Sequence, residues 1–170
     1  MVHTLYKISD PYTKFWFKFI FPNKSLIKSN GKKCVLSMKI KPHFNEFVSW
    51  TFEDICIEYL KRKNSINGLP FIFEKIGKWW HGNEEIDILA IGQRDILIGE
   101  CKWNENRKIN LGVLKSLQSK SIKISNTSNM NIIYVLFSRN GFTTDLIKLS
   151  KTNNNIILID LETLQEGFIY

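Results

Sequence analysis

The stretch EEIDILAIGQRDILIGECKW, residues 84–103, decides the fold. Its two apolar runs flank the turn-forming tetrapeptide GQRD, so the pattern predicts two strands joined in a hairpin. Because side chains alternate across a strand, Glu100 and Lys102 are expected on the same face. The hairpin should bring Asp87, in the first strand, beside Glu100 in the second.

The three ionisable side chains of this hairpin are costly to bury in apolar strands unless they are paired or bind a metal. The carboxylates of Asp87 and Glu100 would repel each other, and a hard divalent cation such as Mg²⁺ or Mn²⁺ would relieve that repulsion. Such an ion is a Lewis acid that makes hydroxide available near neutral pH, while Lys102 would orient the nucleophile or stabilise the transition state. These residues predict a site for phosphodiester hydrolysis. The alternative is a buried ion-pair network without catalysis.

Apolar residues at helical spacing predict a long helix over residues 44–63. Glu53 lies on this helix beside the apolar stripe and is expected to assist the metal; the alternative is an ordinary helix-face carboxylate. Further runs predict strands at 71–76, 132–137 and 156–159, helices at 111–124 and 143–151, and a polar loop at 126–131. The order predicts an α/β fold with a mixed central sheet flanked by helices, in which an early hairpin precedes strands joined by helical crossovers.

Residues 1–43 are expected to form a helical and extended lead-in segment packed on a domain formed by residues 44–170. Asp10 can cap a helix whose first position is Pro11, and the sequence Pro22-Asn23 should end it. The dense aromatic residues of this helix are expected to be mostly buried. Asn30-Gly31 predicts a turn.

Four residues near the predicted site are candidates for nucleic-acid contact: Trp79, Trp103, Gln118 and Lys115. The indole rings could stack on bases, although we expect at least one of the tandem pair Trp79-Trp80 to pack in the core. Gln118 and Lys115 belong to the helix after the hairpin, where a solvated helix face is the alternative. The sequence places His81 in an exposed loop.

The composition favours a polyanionic partner. The chain has 170 residues, a net charge of +8 and a pI near 9.4, which favour nucleic acid over a merely basic surface. Cys34, Cys56 and Cys101 are odd in number and have no C-x-x-C spacing, which argues against a disulfide scaffold or a zinc ribbon and for a reducing, cytoplasmic location. The chain lacks an apolar run of about 18 residues, so no membrane association is expected.

The segments FEDIC (52–56), KWW (78–80), EIDI (85–88) and GECKW (99–103) resemble the C-terminal nuclease-like domain of archaeal ATPases, which has carried the label DUF234. The opening segments SDP, FWFKF and FPN resemble the lead-in of the same proteins. The resemblance implies a PD-(D/E)xK, restriction-endonuclease-like fold, with Asp87, Glu100 and Lys102 as its core motif and Glu53 as its helix glutamate. Family members usually carry an ATPase module. This chain has no G-x-x-x-x-G-K-[ST] loop, so we expect an excised domain or a free-standing relative.

The expected function is therefore that of a metal-dependent nuclease that uses Mg²⁺ or Mn²⁺ and acts on DNA in preference to RNA. Its possible protein partners are a second copy of the chain, which would form a homodimer, and a separate ATPase. The alternative function is a non-catalytic module for nucleic-acid binding or partner docking that retains the nuclease fold. A toxin- or defence-type nuclease that needs a partner is a third reading, on which the sequence is silent.

Overall fold

The computed structural model describes residue 8 and residues 10–124 and 129–169. The chain forms two compact units, Met1–Thr51 and Phe52–Tyr170. The boundary expected between residues 43 and 44 stays a prediction, and one continuous helix runs through that position. No helix in the described ranges is long and apolar enough to cross a membrane. Residues 126–128 of the loop expected at 126–131 lie outside the described residues, and β4 begins at Asn131.

The first unit is helical over residues 11–51, apart from a kink at Gly31. Asp10 caps its first helix, because the Asp10 carboxylate accepts a hydrogen bond from the Thr13 N–H at 2.6 Å, and Pro11 occupies the first turn. The predicted helix start is thus confirmed. The elements are α1 (Pro11–Phe15), a π-helix (Trp16–Ile20), a 3₁₀ turn (Phe21–Asn23), α2 (Lys24–Val35), a second π-helix (Leu36–Ile40) and the beginning of α3 (Lys41–Ser65).

Two expectations for this unit are corrected. Helical structure resumes directly after the 3₁₀ turn, so Pro22-Asn23 changes the helix type without ending the helical segment. The predicted turn at Gly31 is confirmed, since its φ of 80° and ψ of 164° break α2. The expectation of mostly buried aromatics is wrong: Phe19 is buried, whereas Tyr12, Phe17 and Phe21 are exposed. The buried cluster of this unit is small, so it can cover the aromatic rings on only one side of residues 11–23. The cluster consists of Phe19, Val35, Ile40 and Phe47.

The second unit is a three-layer α/β structure, which confirms the predicted fold class. Its five strands lie in the spatial order β1-β2-β3-β4-β5. β1 and β2, and β2 and β3, pair antiparallel, while β3 and β4, and β4 and β5, pair parallel through helical crossovers. The strands are β1 (Lys75–His81), β2 (Glu84–Ile91), β3 (Asp95–Lys102), β4 (Asn131–Ser138) and β5 (Ile156–Asp160); the helices after α3 are α4 (Leu111–Ser121), α5 (Thr144–Thr152) and α6 (Leu161–Ile169).

Each face of the sheet is covered by its own apolar cluster, so the central strands are buried on both sides. One cluster joins the sheet to α3 and α6 through residues such as Cys56, Leu60 and Leu164. The other joins it to α4 and α5 through residues such as Leu117 and Leu146. Gly92 and Asp95 close the predicted hairpin turn with a hydrogen bond of 2.9 Å from the Gly92 N–H to the Asp95 carbonyl.

The strand expected at 71–76 is wrong, since β1 begins only at Lys75. The Asn64 side chain supplies the reason. Its amide donates to the Phe73 carbonyl at 3.1 Å and accepts from the Phe73 N–H at 2.9 Å, so a helix side chain takes the place of a strand partner. Because β1 begins and ends later in the sequence than expected, His81 is its last residue and does not belong to the predicted loop. The side chain of His81 is exposed, as expected.

The helix expected at 111–124 ends at Ser121, and the helix α6 was not expected at all. Asn110 caps α4 by accepting the N–H groups of Gly112 and Val113 at 2.9 and 3.3 Å. The signal for α6 is short: Leu161, Leu164 and Phe168 recur at helical spacing directly after β5.

Substitution of Gly99 tests the packing of the central sheet. A methyl group there would lie 2.8 Å from Val135 Cγ1 and 3.0 Å from Ile88 Cβ. Gly99→Ala is therefore expected to lower the free energy of unfolding by about 1–3 kcal/mol through overpacking, measured by urea denaturation.

The matched control is Gly77→Ala, also in a strand, where nothing lies within 4 Å of the added carbon. This change should alter the free energy of unfolding by no more than about 0.5 kcal/mol. Equal stabilities for the two variants would contradict the close approach at Gly99.

Candidate active site

A β-bulge in β2 shapes the site. Gly77 pairs with Leu89 and Trp79 pairs with Ile86, so β2 advances by one residue more than β1 over this interval. The extra residue lies at Asp87-Ile88, opposite Lys78. Bulges re-aim side chains and are common beside active sites. As a result Ile86 and Leu89 join one apolar cluster, whereas Ile88 joins the other.

The bulge directs the Asp87 carboxylate toward β3. The regular pairing of β2 with β3 reaches Ile88–Gly99, and beyond it Asp87 Oδ2 accepts the Cys101 N–H at 2.8 Å. Burial raises the pKa of Asp87 to about 6, and the negative charges of Glu100 and Glu53 act in the same direction. The Cys101 N–H and Lys102 oppose this rise. Asp87 is thus a carboxyl group held close to two others.

Glu100 is the most deeply buried carboxylate of the site, at 7% exposure. Lys102 Nζ lies 2.5 Å from Glu100 Oε1, which agrees with the predicted shared face. Lys120 on α4 lies 3.3 Å from Glu100 Oε2 and donates to the Glu85 carbonyl at 2.8 Å. Burial would lower the pKa of Lys102, but the hydrogen bond to Glu100 and the nearby carboxylates raise it above the ordinary value.

Glu53 reaches the site from α3, as expected. Its Oε2 accepts a hydrogen bond from Lys78 Nζ of β1, and Glu53 lies next to Phe52, which packs against the sheet. Burial would lower the pKa of Lys78, but its hydrogen bond with Glu53 and the charges of Glu53, Glu85 and Asp87 raise it. The structure therefore brings all four predicted residues, Glu53, Asp87, Glu100 and Lys102, into one electrostatic cluster.

The candidates for nucleic-acid contact fall outside this cluster. Trp79 packs against the apolar core and stacks on His81 at 6.0 Å, while Trp80 is exposed. The expectation that one of this pair packs in the core is confirmed. Trp103 packs on Phe52 at 5.1 Å, and its buried indole N–H has no hydrogen-bond partner in the described part of the chain.

The two candidates on α4 differ in exposure. Lys115 is exposed and Gln118 is half-buried. The side chain of this helix that reaches Glu100 is Lys120. The roles proposed for Lys115 and Gln118 stay predictions.

Lys78 and Lys120 are the site residues that sequence reasoning missed. Lys120 had a usable signal, because it lies between Leu117 and Ser121 on the buried side of α4. Lys78 had no comparable signal, since its position opposite Asp87 depends on the bulge and on the true start of β1.

The donor set suits a hard cation better than a soft one. Asp87 Oδ1 accepts no hydrogen bond from the described residues, and a cation near it would offset the repulsion among the carboxylates. Burial raises the pKa of the Cys101 thiol, and contact with Cys56 raises it further, so a thiolate ligand is disfavoured. Within residues 10–124 and 129–169, no group of three or more His, Cys, Asp or Glu side chains is placed to hold a metal.

The pKa of Asp87 predicts how stability changes with pH. Because the folded-state pKa is raised from 3.8 to about 6, the folded protein binds this proton more tightly than the unfolded chain does. The resulting stabilisation is complete below pH 3.8 and is lost as the pH rises through 6. Asp87→Asn, which can still accept the Cys101 N–H, should raise the free energy of unfolding by about 1–3 kcal/mol at pH 7 and much less at pH 4.

Urea denaturation in EDTA across this pH range measures the difference between Asp87→Asn and the wild type. Glu162→Gln, an exposed carboxylate of α6, provides the baseline. A gain for Asp87→Asn that stays constant with pH would contradict the raised pKa.

Comparison with known proteins places the chain in a family. The family model of DUF234, described as archaea bacterial proteins of unknown function, matches residues 16–121. An uncharacterized protein of Methanocaldococcus jannaschii is 33% identical over 162 residues, which cover 92% of this chain and 34% of that relative. The chain thus spans about a third of that relative's length. No solved structure matches the present chain. The chain belongs to the DUF234 family.

Proposed function

We propose that this chain is a divalent-metal-dependent nuclease that hydrolyses phosphodiester bonds of DNA, with Asp87 and Glu100 as metal ligands. The observation that carries the proposal is the half-buried Asp87 carboxyl near the buried Glu100, whose charge, together with burial, raises the pKa of Asp87 to about 6. A titratable group strongly perturbed by burial and by a second carboxylate is typical of functional sites. Mg²⁺ or Mn²⁺ would suit the oxygen donors.

Each of the four site residues has its own role in this proposal. Asp87 is oriented by the Cys101 N–H through Oδ2, which leaves Oδ1 for a cation. Lys102 carries a positive charge 2.5 Å from Glu100, where it can hold the attacking water or a phosphate oxygen. Glu53 would assist from α3. A bound ion would supply Lewis acidity and ease the deprotonation of water near neutral pH.

The superfamily, cellular location and protein partners proposed with this function go beyond the family assignment. A mixed five-stranded sheet with helices on both faces is compatible with a PD-(D/E)xK, restriction-endonuclease-like fold. We propose that assignment together with the motif Asp87, Glu100 and Lys102. A cytoplasmic location, a homodimer and a separate ATPase partner stay predictions.

One observation favours the second candidate function, a nucleic-acid-binding or partner-docking module without catalysis. Lysines already contact both Glu100 oxygens, and Lys78 contacts Glu53. Carboxylates neutralised by lysines do not require a metal to be stable in the fold. A metal would have to compete with Lys102 or Lys120 for Glu100.

Cleavage assays with purified protein test the nuclease proposal. Linear, nicked, branched and single-stranded DNA are incubated with Mg²⁺, Mn²⁺ or EDTA. Asp87→Asn, Glu100→Gln and Lys102→Ala are each expected to lower the cleavage rate on the order of 10²-fold or more. Calorimetry should show Mn²⁺ binding to the wild type that is lost in Asp87→Asn.

The controls are Lys148→Ala and Asp145→Asn, which remove exposed charges of α5 and should cleave as the wild type does. Full cleavage by Asp87→Asn would contradict the proposal. A wild type that binds DNA but neither cleaves it nor binds Mn²⁺ would support the second candidate.

A further inference from the structure

The positive charge of the chain is concentrated at one end of the sequence. Residues 1–51 hold nine lysines and two acidic residues, so seven of the eight net positive charges fall there. Residues 52–170 hold fifteen basic and fourteen acidic residues and are almost neutral. A strong asymmetry of charge between two parts of a chain indicates a polyanionic partner for the charged part.

The same unit exposes aromatic rings that a self-contained helical unit would be expected to bury. Tyr12, Phe17, Phe21 and Trp50 are each more than half exposed. Phe17 and Trp50 line an apolar groove of ≈ 310 Å³, together with buried Phe47. Single exposed apolar side chains are common on protein surfaces, but a groove lined by several aromatic rings indicates a binding site.

Lysine ammonium groups accompany these rings. Lys18 Nζ lies 4.2 Å from the centre of the Trp50 ring and lines the same groove. Lys24 Nζ lies 4.5 Å from the centre of the Phe21 ring. Two lysines of this unit thus each lie beside an exposed aromatic ring. Lys18 Nζ also lies 3.6 Å from Glu46 Oε1, at a partly exposed position where a phosphate can compete with the carboxylate.

We propose that residues 10–51 form a binding surface for single-stranded nucleic acid, with bases stacked on Trp50 and Phe17 and phosphates bound by Lys18 and Lys24. Single strands are bound without sequence preference by stacking platforms that lie beside positive charge. A nucleotide presents a flat base and a phosphate within one repeat, which matches the pairing of ring and ammonium. The bases of a duplex are stacked on one another and cannot use these rings.

A lipid surface fits the arrangement less well. Interfacial helices separate an apolar face, which enters the acyl region, from a charged face that stays in water. Here ammonium groups lie directly over the exposed rings. Burying Trp50 in lipid would desolvate Lys18 or force it away.

The inference concerns binding alone and does not depend on catalysis at Asp87 and Glu100. Fluorescence anisotropy in EDTA therefore measures it without cleavage. The probes are a labelled DNA single strand, the RNA strand of the same sequence and the matching DNA duplex. The wild type should bind both single strands more tightly than the duplex, and more weakly as salt rises.

Two sets of variants test the surface. Trp50→Ala and Phe17→Ala should each weaken single-strand binding about 5- to 150-fold, as expected for a lost stacking platform. Trp50→Phe retains a ring and should restore most of the affinity. The double variant Lys18→Gln/Lys24→Gln should reduce the salt slope by about 1.4, at about 0.7 per phosphate contact.

The matched controls lie in the other unit. Lys148→Gln/Lys151→Gln removes the same charge from exposed positions of α5, and Ile122→Ala removes exposed apolar surface. Both should bind as the wild type does. Circular dichroism confirms that each variant is folded, and Phe21→Ala replaces any aromatic variant that is not.

Four results would overturn the inference, and three of them come from the anisotropy measurements. These three are no binding of either single strand at low salt, single-strand binding that none of the aromatic or lysine variants weakens, and tighter binding of the duplex than of the single strands. Binding to vesicles of phosphatidylserine and phosphatidylcholine, without binding to either single strand, would assign the surface to lipid and overturn it as well. Because no metal is present, failure here would not bear on the cleavage assays.

Discussion

The hydrogen bond from the Cys101 N–H to Asp87 Oδ2 is the interaction on which the site depends. It forms because β2 holds one extra residue at this point. The bulge lets Ile86 and Ile88 enter different apolar clusters, so both faces of the sheet stay filled while an acidic side chain turns toward β3.

Charge compensation follows from that placement. The negative charges of Glu100 and Glu53 help to raise the pKa of Asp87, and lysines from β1, β3 and α4 contact the carboxylates of Glu53 and Glu100. Breaking a buried ion pair costs more than the pair contributes, because the remaining charge is left unpaired. The site is therefore held by elements that are distant in sequence, and a metal ligand role for Glu100 requires an exchange with a lysine.

The features of the site that depend on residues close in sequence could be predicted, whereas those that depend on contacts between distant elements could not. Alternation in the strand 95–102 fixes the shared face of Glu100 and Lys102, and the GQRD turn fixes the hairpin, because both depend on neighbours in sequence. The bulge and the partner Lys78 depend on where β1 begins, which the Asn64 side chain decides through Phe73. Exposure of the aromatics at residues 12–21 likewise depends on how little apolar surface is available to cover them.

The near neutrality of residues 52–170 limits what the candidate site can do by itself. Affinity for a polyanion comes mainly from phosphates neutralised by lysine and arginine, and it scales with their number. In the cluster around Asp87 and Glu100, the nearest lysines are already engaged by carboxylates. Seven of the eight net positive charges belong instead to residues 1–51, where Lys18 and Lys24 lie beside exposed aromatic rings. If the chain cleaves nucleic acid, retention of the strand and the chemistry on it would be supplied by different units.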